Sequence, residues 1–282
     1  MGNILAYKYC TMKKLFSTLL LLVAFAVQAQ VPGSTAPIPP DIAAIKKRNV
    51  LVVAMNKKDS PPFFSGQGDD LRGLDVDIAR RVGVMLGVPV EFRRDAESFN
   101  EVVEQIRTGK ADIAISKLSV TGPRLQAVRF STPYVRLKQS LIVNRLWLSA
   151  NANGREPYQV IRNFDGRISF IRNSSYDTFA RVNFPNATFV PDDSWDNIIK
   201  NVMDGSIAAA YRDEFENKKI SFEKPEAALS TKTIVISDAV DNIAAAVPYT
   251  STHLLSVVDY VIRNDFNNVD AKKLMKMYKE SK

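Results

Sequence analysis

The strongest constraint on the fold is an alternation of short apolar runs with amphipathic helical segments. Residues 50–55 form an almost wholly apolar run, which is typical of a strand buried on both faces of a sheet. Helical patterns follow at 75–86 and 98–107, and strand patterns at 89–93 and 112–116. Ser98 and Glu101 have the spacing of a capping box at the start of the second helix. This βαβαβ order predicts an α/β fold with a parallel sheet and helices on its faces.

The same plan recurs 96 residues later in the chain. The helix that begins at Ser98-Phe99 and the one that begins at Ser194-Trp195 place apolar residues and a closing glycine at matching positions. The strand at 112–116 then corresponds to residues 208–212, and a strand at 166–171 and a helix at 174–183 precede the second copy. Any two amphipathic helices can be aligned in this way, so the repeat alone leaves coincidence open. We nevertheless predict two similar α/β lobes.

Charged residues stand just beyond equivalent strands of the two predicted lobes. Ligands of open α/β sheets bind beyond the carboxyl ends of the strands. The offset of 96 places Lys117 and Asp213 at such points, and Arg124 follows seven residues after Lys117. A cationic rim facing an anionic one suits a zwitterion, because a guanidinium binds a carboxylate and a carboxylate binds an ammonium.

The first 29 residues have the pattern of a secretory signal peptide. A short basic segment at 12–14 precedes 13 largely apolar residues, which are too few to span a membrane, and small residues follow up to Ala29. We predict cleavage after Ala29, leave open whether Met1 or Met12 is the start, and expect residues 30–45 to form a flexible leader. Cleavage removes three lysines and the only cysteine, so the net charge falls from +8 to +5 and no disulfide can form. We expect a periplasmic protein that does not bind nucleic acid, because its charge is scattered.

Four sequence blocks carry a family resemblance. The stretches 73–79 (GLDVDIA), 109–113 (GKADI), 116–124 (SKLSVTGPR) and 130–134 (FSTPY) resemble, in order and spacing, motifs of the polar amino-acid solute-binding proteins, family 3 of the binding proteins of ABC transporters. The resemblance covers about residues 46–282. It implies a two-lobed clamp of the type II periplasmic-binding-protein kind. Lobe 1 would comprise 46–136 and 243–282, and lobe 2 would comprise 137–242. The chain would cross between them near residues 135–138 and near Asn242.

The same resemblance implies a set of ligand-binding residues. Arg124 matches the arginine that grips the ligand carboxylate, and Ser119 matches a hydroxyl that helps to hold it. Asp213 matches the aspartate that pairs with the ammonium, and Ser174 and Ser175 open a helix whose N-terminus faces the carboxylate. Each also has a purely structural interpretation, as a surface arginine, a turn residue or a helix cap.

Further candidates are less specific. Phe99, Phe63 and Phe64 could form aromatic walls, although most aromatic residues at such spacing belong to the core. Ser116 and Tyr176 could reach the ligand. Lys117 departs from the family, which usually has a small residue there: its ammonium could fill part of the pocket, contact a second acid on the ligand, or point to solvent. This departure leaves a ligand other than an amino acid open.

The expected function is capture of a small zwitterion, such as an amino acid, for an ABC transporter permease in the inner membrane. We expect a monomer, and no cofactor or metal, because the chain has one cysteine and one histidine. Two alternatives remain. One is an enzyme resembling cyclohexadienyl dehydratase, which would need a cleft carboxyl with a raised pKa. The other is a free accessory or sensor protein, for example one that assists a dehydrogenase; no second catalytic unit follows here, so a fused form is not expected.

Overall fold

The computed structural model describes residues 37–267 and 269–281. Contacts divide the chain after Ile38, and every element below lies in the compact unit that starts at Pro39. The predicted signal peptide at 1–29 lies outside the described residues, as do residues 30–36 of the predicted leader. No helix in the described part of the chain is long and apolar enough to cross a membrane.

The first sheet has five strands, in the order β2 (Val90–Ala96), β1 (Leu51–Asn56), β3 (Ile113–Ala114), β10 (Ala246–Val247) and β4 (Arg129–Phe130). β1 pairs in parallel with β2 and β3, whereas β10 runs antiparallel to β3 and β4. The helices before β4 and after β10 are α1 (Pro40–Arg48), α2 (Leu74–Leu86), α3 (Phe99–Arg107), α4 (Gly122–Leu125), α11 (Thr252–Asp265) and α12 (Ala271–Glu280).

The second sheet has five strands, in the order β7 (Thr188–Phe189), β6 (Arg167–Ser169), β8 (Ala209–Asp213), β5 (Val135–Asn144) and β9 (Thr231–Ile243). β6 pairs in parallel with β7 and β8, and the long strand β5 runs antiparallel to β8 and β9. The helices between β5 and β9 are α5 (Arg145–Ala152), α6 (Pro157–Arg162), α7 (Ser175–Asn183), α8 (Trp195–Met203), α9 (Glu214–Glu223) and α10 (Ala227–Ser230).

Two mixed sheets with flanking helices confirm the predicted α/β class. The repeat is visible in the helix starts: the side chain of Ser98 accepts a hydrogen bond from Glu101 N, and that of Ser194 accepts one from Asn197 N. The capping box at Ser98 is incomplete, because the Glu101 carboxylate accepts from Glu97 N instead of Ser98 N. Each capped helix packs its apolar face into a separate buried cluster, α3 in the first half and α8 in the second.

The chain passes between the sheets twice. It leaves the first sheet after β4 and enters the second at β5, and it returns from β9 to β10. The loop that follows β3 lies against the returning segment, because Val120 N donates to Asn242 O at 2.8 Å and Ala244 N donates to Leu118 O at 2.9 Å. This loop carries Lys117 and Ser119, so the candidate site lies beside a segment that connects the sheets.

Two regions differ from the sequence analysis. Residues 40–45, predicted to belong to a flexible leader, are helical, because Ile42 and Ile45 of α1 are buried in the first core cluster. Residues 271–280, assigned to lobe 1, also contact α9, which follows β8 of the second sheet. The ring of Tyr278 lies 6.3 Å from that of Phe215, edge to face. Periodicity shows which face of a terminal helix is apolar, but it does not show what covers that face.

Candidate functional site

The site is built where the ends of β3 and β8 face each other. Lys117 follows β3 and Asp213 ends β8, and the structure places Lys117 Nζ 3.2 Å from Asp213 Oδ2. The same ammonium lies 2.7 Å from Glu216 Oε1, one turn into α9. All three side chains are at least nine-tenths buried. The two positions related by the offset of 96 thus form a direct ion pair between the sheets.

The backbone of Lys117 is held in an unusual conformation by a buried acid. Its φ is 49°, in the left-handed region that favours glycine. Its N–H donates to Asp75 Oδ2 at 2.6 Å, and Tyr134 donates its hydroxyl to Asp75 Oδ1 at 2.9 Å. Burial raises the pKa of Asp75 to about 7, although both hydrogen bonds oppose the rise. Asp75, in the 73–79 sequence block, therefore holds the loop that carries Lys117 in place.

The ammonium of Lys117 stands over two rings and between two acids. Its Nζ lies 5.0 Å from the ring centroid of Phe63 and 5.5 Å from that of Phe215. Asp213 also caps α9, since its Oδ1 accepts from Glu216 N at 2.9 Å. Burial by itself would raise the pKa of Glu216, but the nearby cations, Lys117 first, then Arg212 and Lys219, hold that pKa below its usual range.

Arg124 lies on α4, whose first turn Thr121 caps. Its Nη1 donates to Ser119 O at 3.0 Å, and its Nε and Nη2 both donate to Asn100 Oδ1, at 3.3 and 3.0 Å. A guanidinium carries five N–H donors, so these three bonds leave capacity for a further acceptor. Burial lowers the pKa of Arg124 to about 10, and the charge of Asp241 works against that shift. The group remains a cation at neutral pH.

A hydroxyl chain connects the first sheet to helix α7. Ser175 donates to Ser119 Oγ at 2.8 Å, and Ser119 in turn donates to Asp241 Oδ2 at 3.0 Å. Tyr176 donates its hydroxyl to the same oxygen at 3.1 Å. The other oxygen, Asp241 Oδ1, is buried and has no hydrogen-bond partner among the described residues. Burial, and next the charge of Asp213, raise the pKa of Asp241 to about 6.

These groups surround a small inner cavity of about 30 Å³. A larger outer cleft of about 760 Å³ shares Phe99, Ile171 and Arg212 with it. A volume of about 10–15 Å³ admits one water molecule, so the inner cavity in this conformation holds only one or two. A solute of amino-acid size therefore needs the two sheets, or the side chains between them, to move apart.

Most of the predicted site residues meet at the inner cavity. Those that line it are Phe99, Lys117, Ser119, Arg124, Ser174, Ser175, Tyr176 and Asp213. Of the alternatives left open for Lys117, the structure has the one in which the side chain fills part of the pocket.

Three predicted site residues lie elsewhere. Ser116 is fully buried, and its Oγ accepts from Asn56 N at 2.9 Å, which ties β1 to the loop after β3. Phe63 and Phe64 are buried core residues. The ring of Phe63 forms a cation–π contact with Lys117 Nζ, and the ring of Phe64 forms one with the guanidinium of Arg94. Neither ring reaches the cavity, because the segment between β1 and α2 folds inward onto the core.

Sequence reasoning missed several contributors. Asp241, Tyr211, Arg212 and Ile171 also line the cavity, and Glu216 and Asn100 hold two of its cations. Only Asp241 left a signal, since it stands next to the crossing expected near Asn242. The described residues hold no cluster of histidine, cysteine and acidic side chains suited to a metal ion.

Comparison with known proteins gives a family match over most of the chain. The family described as bacterial extracellular solute-binding proteins, family 3, matches residues 51–280. A membrane-bound lytic murein transglycosylase F of Idiomarina loihiensis is 27% identical over 165 residues, which are 58% of this chain and 33% of that protein. The chain thus spans about a third of the length of this curated relative.

Two further relatives are binding proteins by name. A probable amino-acid ABC transporter-binding protein of Haemophilus influenzae is 30% identical over 123 residues, 43% of this chain and 45% of that protein. Among solved structures, an amino-acid ABC transporter substrate-binding protein of Streptococcus pneumoniae bound to L-arginine superimposes with a TM-score of 0.64 at 26% identity. The match covers 85% of this chain and 97% of that one.

Proposed function

We propose a function from one premise: this chain belongs to family 3 of the bacterial extracellular solute-binding proteins. The protein captures a small solute with a carboxylate, an amino acid or a related carboxylic acid, in the inner cavity. It then presents that solute to the permease of an ABC importer. The two sheets correspond to the two lobes of a clamp, and the crossings near residues 135 and 243 allow the clamp to open and close.

One observation carries this proposal: a buried guanidinium faces a helix N-terminus across the cavity. Arg124 on α4 and Ser175 at the start of α7 both line the cavity, and Ser119 contacts both: its carbonyl accepts from Arg124 and its hydroxyl accepts from Ser175. A carboxylate there would accept from the guanidinium, from the hydroxyls and from the backbone N–H of Ser175 at the start of the helix. Since these donors come from both sheets, a bound carboxylate would draw the lobes together.

A thermal-shift screen of the full chain tests this function. The ligands are the twenty amino acids and their 2-hydroxy and dicarboxylate analogues. A ligand at about 100 times its Kd should stabilise the protein by about 2.7 kcal/mol. Arg124→Ala should abolish the shift, while Arg129→Ala, an exposed arginine on β4, should retain it. If no carboxylate stabilises the protein, or if Arg124→Ala binds as well as the wild type, the proposal is wrong.

Export and delivery are parts of the same proposal. We place the protein in the periplasm as a monomer, exported by a signal peptide cleaved after Ala29. Intact-mass measurement of the protein from the periplasm tests the cleavage; a mass that includes residues 1–29 would contradict it. Transport is tested by reconstituting this chain with an ABC importer of its host: the ligand-loaded protein should stimulate ATPase activity, and no stimulation with any such importer would contradict delivery.

A second candidate function is supported by Asp241. This carboxyl is fully buried at the cavity, has one oxygen without a partner in the described structure, and has a pKa raised to about 6. Those properties suit a general acid, as in a dehydratase that protonates a leaving hydroxyl. However, two hydroxyls already donate to Asp241 Oδ2, an arrangement that stabilises the carboxylate and favours binding over catalysis. Product formation from prephenate or arogenate, lost in Asp241→Asn, would establish the enzyme instead.

A further inference from the structure

Asp213, the expected partner of a ligand ammonium, already has a cation of this chain. Its Oδ2 accepts from Lys117 Nζ at 3.2 Å, and its Oδ1 accepts from Glu216 N at 2.9 Å. The Lys117 backbone is anchored by Asp75, and its ammonium is also bound by Glu216, so several independent contacts hold the side chain in the cavity. A ligand ammonium could reach Asp213 only by displacing Lys117 into an already crowded, buried space.

The charge balance of the site points the same way. The charged side chains that line the cavity are three cations, Lys117, Arg124 and Arg212, and two carboxylates, Asp213 and Asp241. This cluster retains one positive charge. A zwitterion would leave that charge uncompensated and would add an ammonium near Lys117, whereas a monoanion would neutralise it.

The hydrogen-bonding groups of the cavity that have no partner in the described structure indicate which ligand groups the site can bind. Arg124 keeps unused N–H donors on one side of the cavity, and Asp241 Oδ1 is an acceptor without a described partner on the other. A buried acceptor without a partner destabilises the site, so a ligand that donates to Asp241 gains affinity. A hydroxyl can donate there, and burying it costs much less than burying an ammonium. A keto group cannot donate at all.

We propose that Lys117 replaces the ammonium of the ligand, so that the site selects a small 2-hydroxy carboxylate over the amino acid with the same carbon skeleton. The carboxylate binds Arg124, and the 2-hydroxyl donates to Asp241. This inference rests on the proposed function and names the substrate class of the same site.

Matched ligands test the selectivity in the wild-type chain. Calorimetry would compare L-lactate, L-alanine and pyruvate, and then L-malate, L-aspartate and oxaloacetate. We expect the hydroxy acid of at least one set to bind about tenfold or more tightly than both its amino and its keto analogue. An amino acid that binds as tightly as its hydroxy analogue, or more tightly, would overturn the inference while leaving the proposed function intact. If neither these six ligands nor any other carboxylate of the thermal-shift screen binds, both are wrong.

Two variants then identify Lys117 as the cause. Lys117→Gly frees Asp213 and opens space, and glycine suits the positive φ at this position, so this variant should gain affinity for the amino acid relative to the hydroxy acid. Lys117→Met removes the charge but keeps the bulk, so it should weaken the hydroxy acid without gaining the amino acid. A Lys117→Gly variant that is folded by circular dichroism and keeps the wild-type preference would refute the role of Lys117. If that variant does not fold, Lys117→Met decides: a folded Lys117→Met protein that binds the hydroxy acid as tightly as the wild type would refute the role of Lys117.

Discussion

The hydroxyl of Ser175 donates to that of Ser119 across 2.8 Å and joins helix α7 of the second sheet to the loop after β3 of the first. The hydroxyl of Ser119 in turn donates a hydrogen bond to Asp241, so the three side chains form one directed chain of hydrogen bonds. All three side chains line the inner cavity, where a ligand carboxylate would meet both hydroxyls. Under the proposed function, closure of the lobes and capture of the ligand would use the same groups.

Removal of the Ser175 hydroxyl should affect binding more than stability. Ser175→Ala deletes one neutral hydrogen bond, which contributes about 1 kcal/mol to the free energy of unfolding, and Ser119 keeps its bond to Asp241. Ligand affinity should fall about 10- to 150-fold, because a charge-assisted bond to the carboxylate contributes about 1.5–3 kcal/mol. Ser256→Ala, an exposed serine on α11, is the control for both measurements. Equal affinities of Ser175→Ala and this control would place the carboxylate elsewhere.

Asp75 should be essential for the fold of the site although it lies outside the cavity. Asp75→Ala leaves the N–H of Lys117 and the hydroxyl of Tyr134 without their acceptor in a buried region. We expect a loss of about 2–5 kcal/mol in the free energy of unfolding, measured in urea, because each orphaned donor costs about 1–3 kcal/mol.

The matched control for Asp75 is its neighbour on the same helix. Asp77 is exposed, so Asp77→Ala should change stability by about 0.5 kcal/mol or less. A similar loss in both variants would mean that helix α2, and not the hydrogen bonds to the Lys117 loop, is the sensitive element.

Local patterns in the sequence predicted the elements well, and their ends less well. The serines at 98 and 194 marked two helix starts, because a cap acts through groups two or three residues away. The strand expected at 112–116 is regular only at Ile113–Ala114, because the chain turns toward the cavity at Ser116 and Lys117. The length of a strand depends on the strand with which it pairs, and the local sequence does not specify that partner.

The same distinction explains the site. Lys117 and Asp213 were found because each follows a strand within its own repeat. Asp241 was missed because it reaches the cavity only through the long pairing of β9 with β5, in which Leu137 pairs with Asp241. Phe63 and Phe64 were misplaced for the opposite reason: an aromatic residue after a strand has the same local pattern whether it faces a cleft or the core.

Stability should fall as the pH rises from about 5 to about 7.5. The pKa of Asp241 is raised from 3.8 to about 6, and that of Asp75 from 3.8 to about 7, both chiefly by burial. In this range the folded state therefore binds more protons than the unfolded state, so the free energy of unfolding decreases with pH. For Asp241 a shift of that size corresponds to about 3 kcal/mol at most. Below pH 5 the lowered pKa of Glu216 acts in the opposite direction.

Urea unfolding at pH 5.0 and 7.5 measures this effect. Asp241→Asn cannot ionise and keeps the shape of the side chain, so the difference between the two pH values should shrink in this variant. Asp193→Asn, an exposed acid at the outer cleft, should leave the difference unchanged. A wild-type protein that is more stable at pH 7.5 than at pH 5.0 would show that these two acids ionise without a penalty.

Lys117 and Asp213, which form the ion pair between the sheets, should contribute unequally to the free energy of unfolding. Lys117→Met leaves Asp213 buried without its cation, and one broken partner of a buried pair costs about 3–5 kcal/mol of unfolding free energy. Asp213→Asn should cost less, because Glu216 at 2.7 Å still holds the Lys117 ammonium. The double variant should recover about 0.5–3 kcal/mol relative to the sum of the single losses, as expected for directly interacting groups. Strict additivity in this double-mutant cycle, measured by urea unfolding, would mean that Lys117 and Asp213 do not interact in solution.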